Sequence, residues 1–281
     1  MTRLLSRRSL NTGIILVICF VFTALVAGPF LWTFIMSFRL TTEIDANHYG
    51  LPIPLHFENY IYAFTKFGFA QYIRNSAFVT VLALVLATGV TTTAAYAFAR
   101  KRYFFLGREW LFLLIFISIM FPPQISLLAL FQILVKYKLY NTLWGLVLVY
   151  AASALPFNIF ILRAFFAQIP QDIEDAARID GCTDFQMFWR VMFPIARPAV
   201  ATTVVLNFIN FWNEFLYAVT FVTTQKARTL PLAVMFFMGE AYLDVGMLAA
   251  GLMVSSLPVL IMYLFLSEQF IKGMTAGALK G

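Results

Sequence analysis

Polar and apolar positions in this chain segregate on the scale of whole elements. Six long apolar stretches stand out, at about Gly13–Met36, Ile73–Phe98, Trp110–Leu134, Leu143–Phe166, Ala199–Val222 and Val245–Leu266. Each reaches the ~20 residues a helix needs to cross a bilayer, and a helix pairs its own backbone groups where no water can. The first stretch follows Arg3, Arg7 and Arg8 in the manner of a signal peptide. Its apolar run exceeds the ~7–15 residues of such a segment, and no small-x-small cleavage site follows, so it reads as an uncleaved first span. Pro122-Pro123, Pro156 and Pro258 interrupt spans three, four and six. Each removes a helical donor and predicts a bend, with Gln124, Ser153, Asn158, Ser255 and Ser256 nearby to satisfy freed groups or to line a cavity.

Composition agrees with this pattern. Of 281 residues 62% are hydrophobic and 12% charged, half the charge of an ordinary soluble domain. That excludes a soluble enzyme, a disordered chain and a disulfide scaffold. Cys19 lies in an apolar run and Cys182 in a polar loop, so neither a disulfide nor a metal site is expected; His48 and His56 read as ordinary loop histidines. No repeat, low-complexity tract or linker divides the chain, so one membrane domain over 1–281 is expected.

The net charge of +7 reports orientation rather than nucleic-acid binding. With the N-terminus inside, 13 of the 20 basic residues fall on inner segments, with Arg100-Lys101-Arg102 and Arg108 as the densest cluster, and 7 on outer ones. The positive-inside bias then puts both termini in the cytoplasm, and the basic cluster reads as an anchor at lipid headgroups.

Two segments between spans are long. The outer one, about Phe38–Tyr72, holds Pro52, Pro54, Glu58-Asn59-Tyr60 and the rings Phe64, Phe67 and Phe69, and predicts a short helix at the interface. The inner one, 167–198, carries two helix signals. Pro170 suits a first helical position, and Asp172, Glu174 and Asp175 complement the helix dipole. Ile173, Ala176, Ala177 and Asp180 recur on one side, and Gly181 is a stop. Thr183 with Gln186 forms a capping box that starts a second helix carrying Phe185, Phe188, Val191 and Met192, which Pro194 helps to end. Five of the 13 acidic residues lie between Asp172 and Asp184. Such a helix is a lever for a soluble partner or an interfacial helix that organises the loop.

Asp175-Ala176-Ala177-x-x-Asp180-Gly181, followed by Pro194, resembles the EAA motif of ABC importer permeases, with Asp175 in the place of glutamate and Val191-Met192-Phe193-Pro194 in the place of Ile-x-Leu-Pro. Supporting stretches are Glu58-Asn59-Tyr60, Asn75-Ser76, Ala94-Ala95-Tyr96-Ala97, Trp212-Asn213-Glu214-Phe215 and the tail Gly273–Gly281. In this order they resemble the second permease subunit of maltose-type carbohydrate importers. The resemblance implies an all-α, polytopic type I permease fold of about six transmembrane helices in a bacterial or archaeal cytoplasmic membrane. It implies that the 167–198 loop seats in a cytoplasmic ATPase subunit through Glu174, Asp175, Ala176, Ala177, Asp180, Gly181 and Pro194. Expected partners are a second permease subunit in a heterodimer, two ATPase subunits, an extracytoplasmic solute-binding protein and membrane lipid, and no nucleic acid. The tail either reaches the ATPases or is a free end, and the outer loops, Thr224–Asp244 included, are candidate contacts for the binding protein. No Gly-x-x-x-x-Gly-Lys-Ser/Thr loop occurs, so ATP with Mg is expected on the ATPase subunits, and no cofactor, metal or catalytic residue on this chain.

Span five carries Asn207, Asn210, Asn213 and Glu214, with Asn207, Asn210 and Glu214 at i, i+3 and i+7 on one face. Phe208, Phe211, Trp212 and Phe215 flank them. Amides and a carboxylate beside aromatic faces suit sugar hydroxyls and ring faces, so the stripe is a candidate translocation path; the alternative is hydrogen-bonded helix packing. The rival class, an ion- or proton-coupled carrier, calls for several buried ionisable groups and often inverted repeats.

Overall fold

The computed structural model describes residues 2–240 and 244–278, with side chains over 12–236 and 244–264. In chain order the elements are α1 (Thr2–Met36), α2 (Thr41–Ala46), α3 (Glu58–Thr65), α4 (Phe69–Ala99), α5 (Arg108–Ile117), α6 (Pro123–Lys136), α7 (Leu143–Gln168), α8 (Gln171–Ile179), α9 (Asp184–Gln186), α10 (Phe193–Trp212), α11 (Leu216–Phe221), α12 (Leu230–Glu240) and α13 (Val245–Ala278). Among the described residues, five helical stretches are long and apolar enough to span a membrane: Thr12–Met36, Phe69–Ala99, Leu143–Gln168, Asp184–Trp212 and Val245–Leu264. A sixth forms if α5, its 3-10 turn Ser118–Met120 and α6 are taken together. The all-α polytopic architecture is therefore as expected.

The third stretch is bent where the proline pair predicts, by 110° at the start of α6; other elements depart from the predicted pattern. Pro122 is extended there (ψ 139°) and Pro123 opens α6; two successive residues without an N–H cannot carry the helix on. Pro156, by contrast, is absorbed inside α7, and Pro258 inside α13. The fifth stretch starts 15 residues earlier than Ala199 and ends earlier than Val222, running Asp184–Trp212. Pro194 does not end the loop helix: Met187–Met192 is π-helical, and α10 continues directly from it with Pro194 in its first turn. A π turn leaves backbone groups of the i→i+4 ladder re-paired, so a missing donor is tolerated there. Finally, the segment 224–244 contains an apolar helix, α12, that was expected to be loop.

The chain forms two compact units, Met1–Phe69 with Val234–Ser256, and Ala70–Ala233 with Leu257–Gly281. In the first, Arg39 is 3% exposed and organises the turn after α1. Its Nη2 donates to the carbonyls of Glu43 (2.6 Å) and Asn47 (2.7 Å), and its Nη1 to that of His48 (3.5 Å). Asn59 donates to the carbonyls of Ser37 and Arg39, each at 3.0 Å. Asp244 accepts from Thr41 Oγ1 (2.9 Å) and from the Met247 N–H (2.9 Å), which caps the start of α13. Gly246 packs so close that an added Cβ would lie 2.0 Å from the Arg39 carbonyl oxygen. The predicted short helix after Pro54 is α3.

In the second unit, Val79, Ala83 and Ala87 of α4 pack with Leu146, Tyr150 and Ala154 of α7 and with Phe211, Ala218 and Phe221 around the α10–α11 break. One end of α4 is held by amides and a hydroxyl. Asn75 donates to the carbonyls of Lys226 and Arg228, both at 2.8 Å, and Ser76 accepts from the Leu230 N–H at 2.7 Å. The other end packs through Ala95 and Tyr96 onto Leu162, Phe166, Met187, Phe188 and Met192. That second cluster carries the 167–198 loop.

Candidate functional site

The loop begins with Ile169 and Pro170, whose extended backbone (ψ 140°) makes Pro170 the residue before α8 rather than its first helical residue. Asp172 and Glu174 lie in the first turn and Arg178 in the last, matching the helix dipole. The end of α8 is a Schellman turn: Cys182 N–H donates to the Ala177 carbonyl (3.0 Å), Gly181 N–H to that of Arg178 (2.9 Å), and Gly181 is left-handed at φ +84°. Glycine is therefore required at 181 by backbone conformation. The capping box of α9 is present, with Gln186 N–H donating to Thr183 Oγ1 (3.3 Å) and Thr183 N–H to Gln186 Oε1 (3.0 Å).

The residues that recur on one side of α8 do not share one environment. Ile173, Ala176 and Asp180 are exposed, while Glu174 and Ala177 are buried. The reason is a cation beneath the helix. Arg100, one residue beyond α4, pairs with Glu174 (Nε–Oε1 2.6 Å) and donates to the Ile169 carbonyl (3.0 Å). Glu174 is 3% exposed, so its carboxylate serves the chain's interior. Asp175, Ala176, Asp180 and Gly181 remain on the outer side, beside Ile179 at 87% and Phe185 at 73% exposure. Pro194 is half-buried and lies away from this outer face in sequence, at the root of α10. The loop thus offers a short, rigid surface of carboxylates and apolar side chains, suited to a partner's groove.

The polar stripe of span five does not share one face. α10 ends at Trp212 with Asn213 as its C-cap, so the i, i+7 relation of Asn207 to Glu214 is lost. Asn207 is buried, Asn210 and Asn213 are exposed, and Asn213 donates to the Ile209 carbonyl (2.9 Å). Glu214 caps the next helix, accepting from the N–H groups of Tyr217 (2.7 Å) and Ala218 (3.2 Å). A cavity of about 500 Å³ lies at the break of span three, lined by Ser118, Ser126, Ser153, Pro156, Phe157 and Tyr217 among others.

Residues 91–267 match the family model described as binding-protein-dependent transport system inner membrane component. The chain belongs to that family of permeases. It is 35% identical, over 94% of its own length and 87% of the relative's, to the probable ABC transporter permease protein YurM of Bacillus subtilis. It is 33% identical, over 98% and 99%, to the trehalose/maltose transport system permease protein MalG of Thermococcus litoralis. Its fold is that of a chain in the crystal structure of a bacterial ABC transporter involved in import of the acidic polysaccharide alginate, with a TM-score of 0.79, 24% identity, and 94% of this chain and 98% of that one covered.

The permease is thus a membrane component of an ABC importer family, and the matched range contains the whole 167–198 loop. Sequence reasoning missed two buried arginines. Arg100 was expected among lipid headgroups, and Arg39 carried no expectation beyond its side of the membrane. The signal for Arg100 was its place immediately after the last apolar residue of α4, with Tyr96 one turn earlier. Of the remaining sequence features, the tail Gly273–Gly281 has no described side chains, and 279–281 lie outside the described residues, as do 241–243 of the segment 224–244.

Proposed function

We propose that the permease works as one half of the membrane pathway of an ATP-driven carbohydrate importer. A second permease subunit forms the other half, two ATPase subunits bind ATP with Mg and seat the outer face of α8, and an extracytoplasmic binding protein delivers the solute. Both termini lie in the cytoplasm, on the side favoured by 13 basic residues against 7. The observation that carries this reading is the architecture of α8. Its inner side is fixed to the permease through Glu174 and Ala177, and its outer side presents Asp175, Ala176 and Ile179. A lever needs both a firm root and a free contact surface. The carbohydrate class is supported by the relative named for trehalose and maltose and by the alginate importer of the same fold. Asn210 and Asn213, exposed near the α10–α11 break with Phe215, are the path residues this reading favours, with Glu214 holding the break in shape.

The test is uptake by proteoliposomes holding the complete transporter and its binding protein, offered radiolabelled maltose, trehalose and a β-linked disaccharide in turn. Expected are accumulation of at least one of them only with ATP inside, and a cross-link from Ile179→Cys to an ATPase subunit. Accumulation driven by a proton gradient without ATP overturns the reading in favour of a secondary carrier.

A further inference from the structure

We propose that Arg100 and Glu174 are a positioning pair that fastens α8 to the end of α4, so that a displacement of α8 reaches α4 as one rigid movement; the inference rests on α8 being the ATPase contact. The connectivity makes such a pair necessary. α8 is joined covalently to α7 through Ile169-Pro170 and to α9 and α10 through Asp180-Gly181-Cys182-Thr183. It has no short covalent route to α4, since 71 residues lie between Ala99, where α4 ends, and Gln171, where α8 begins. Only side chains can transmit to α4.

The side chains that do so are few and well placed. Arg100 Nε lies 2.6 Å from Glu174 Oε1, both groups are buried, and Arg100 Nη1 also holds the Ile169 carbonyl at 3.0 Å. One guanidinium therefore grips α8 itself and the turn that enters it. The main chain at Arg100 is held in turn, its carbonyl accepting from Arg108 Nη1 at 2.9 Å. Apolar contact flanks the pair on both helices: Tyr96, one turn before Arg100, packs on Phe166 and Phe188, and Ala177, one turn after Glu174, lies in the same core. Burial keeps water and salt from screening the pair. Arg178 reaches the same carboxylate at a longer 3.9 Å, and two other neighbouring pairs lack this protection. Arg102–Asp184 is 3.4 Å apart with about half of each side chain exposed, and Arg178–Asp175 is 3.9 Å apart at the surface. A planar guanidinium can bind a carboxylate and a carbonyl at once in fixed directions, which suits a rigid joint better than a point charge.

The test uses the assembled transporter in lipid nanodiscs, with Cys19 and Cys182 replaced by serine. Spin labels are placed at Lys101 and Asp172, both exposed, and a single label at Thr93 on the exposed side of α4. The natural chain is expected to give a narrow 101–172 distance distribution, unchanged by trapping with ATP and vanadate, and a Thr93 spectrum that changes on trapping. Glu174→Gln is expected to widen the distribution about twofold, as a buried pair that loses one charge loses its hold, and to silence the Thr93 response. Arg100→Gln is expected to give the same widening and the same silent Thr93 response, and answers the case in which Glu174→Gln does not assemble. An unchanged distribution in Glu174→Gln or in Arg100→Gln overturns the proposal. A missing Ile179→Cys cross-link to the ATPase would instead sink the coupling reading, while the 101–172 distances still decide whether the pair fastens α8.

Discussion

Two buried arginines, one in each compact unit, do opposite jobs. Arg39 gives its hydrogen bonds to the carbonyls of Glu43, Asn47 and His48, all within ten residues. Arg100 gives its charge to a carboxylate and a hydrogen bond to a carbonyl 69 residues away. A guanidinium held by carbonyls of its own loop shapes that loop. A guanidinium paired with a distant carboxylate joins elements that the chain does not join. Both are hidden cations beside apolar helix ends, yet only the second pairs residues of two helices far apart in the chain.

The largest effect expected is that of Glu174→Ala. It leaves Arg100 buried without its partner, a change that costs about 3–5 kcal/mol in comparable pairs. Thermal unfolding of the purified permease in detergent should show a clear drop, with the 167–198 loop becoming protease-sensitive. Arg39→Ala should cost less, about 2–3 kcal/mol, because it strands carbonyls rather than a charge. Its damage should be read as faster hydrogen exchange confined to residues 37–60. A larger loss for Arg39→Ala than for Glu174→Ala would break the comparison.

Much of this was legible in the sequence and some was not, for physical reasons. Apolar length predicts spans well, since lipid leaves the backbone no alternative to helix. α8 and its stop at Gly181 were legible because capping chemistry is local. Pro122-Pro123 was legible as an interruption, yet its 110° bend depends on both residues lacking a donor in succession. The inward turn of Glu174 was not legible, because it depends on Arg100, and nothing in local spacing couples residue 174 to residue 100. The expectation that Asn207, Asn210 and Glu214 share one face failed for a related reason. Helical periodicity assumes an unbroken helix, and α10 stops at Trp212 where the Glu214 carboxylate begins to cap α11.

Gly246→Ala sharpens the contrast on the Arg39 side. A methyl group there would meet the Arg39 carbonyl oxygen at 2.0 Å and Asn59 Nδ2 at 2.9 Å. Backbone has to move, at a cost of about 1–3 kcal/mol. Arg102→Gln is the matching control beside Arg100. The pair it breaks with Asp184 is half exposed, so the loss should stay below about 1 kcal/mol. A loss in thermal stability for Arg102→Gln equal to that of Glu174→Ala would show that burial is not what distinguishes the two pairs.

The smallest effect concerns pH and again contrasts local with distant pairing. In the first unit His56 lies between two carboxylates, 2.9 Å from Glu43 and 3.5 Å from Glu58. The hydrogen bond with His56 is the main cause that holds the Glu43 carboxyl below its ordinary value near 4.5; burial opposes it, and the Leu40 N–H and the charges of His56 and Arg39 assist. A carboxyl whose value is lower in the folded chain binds fewer protons there than in the unfolded chain. Its contribution is therefore complete above about pH 4.5 and disappears as pH falls through the lowered folded value. Glu43 lies at the surface, where added salt weakens such a pair. Melting curves taken from pH 6 to pH 3 should fall slightly less steeply for Glu43→Gln than for the natural chain, and the difference should shrink in high salt. Identical pH profiles would show that the Glu43–His56 contact contributes nothing to the turn that Arg39 organises.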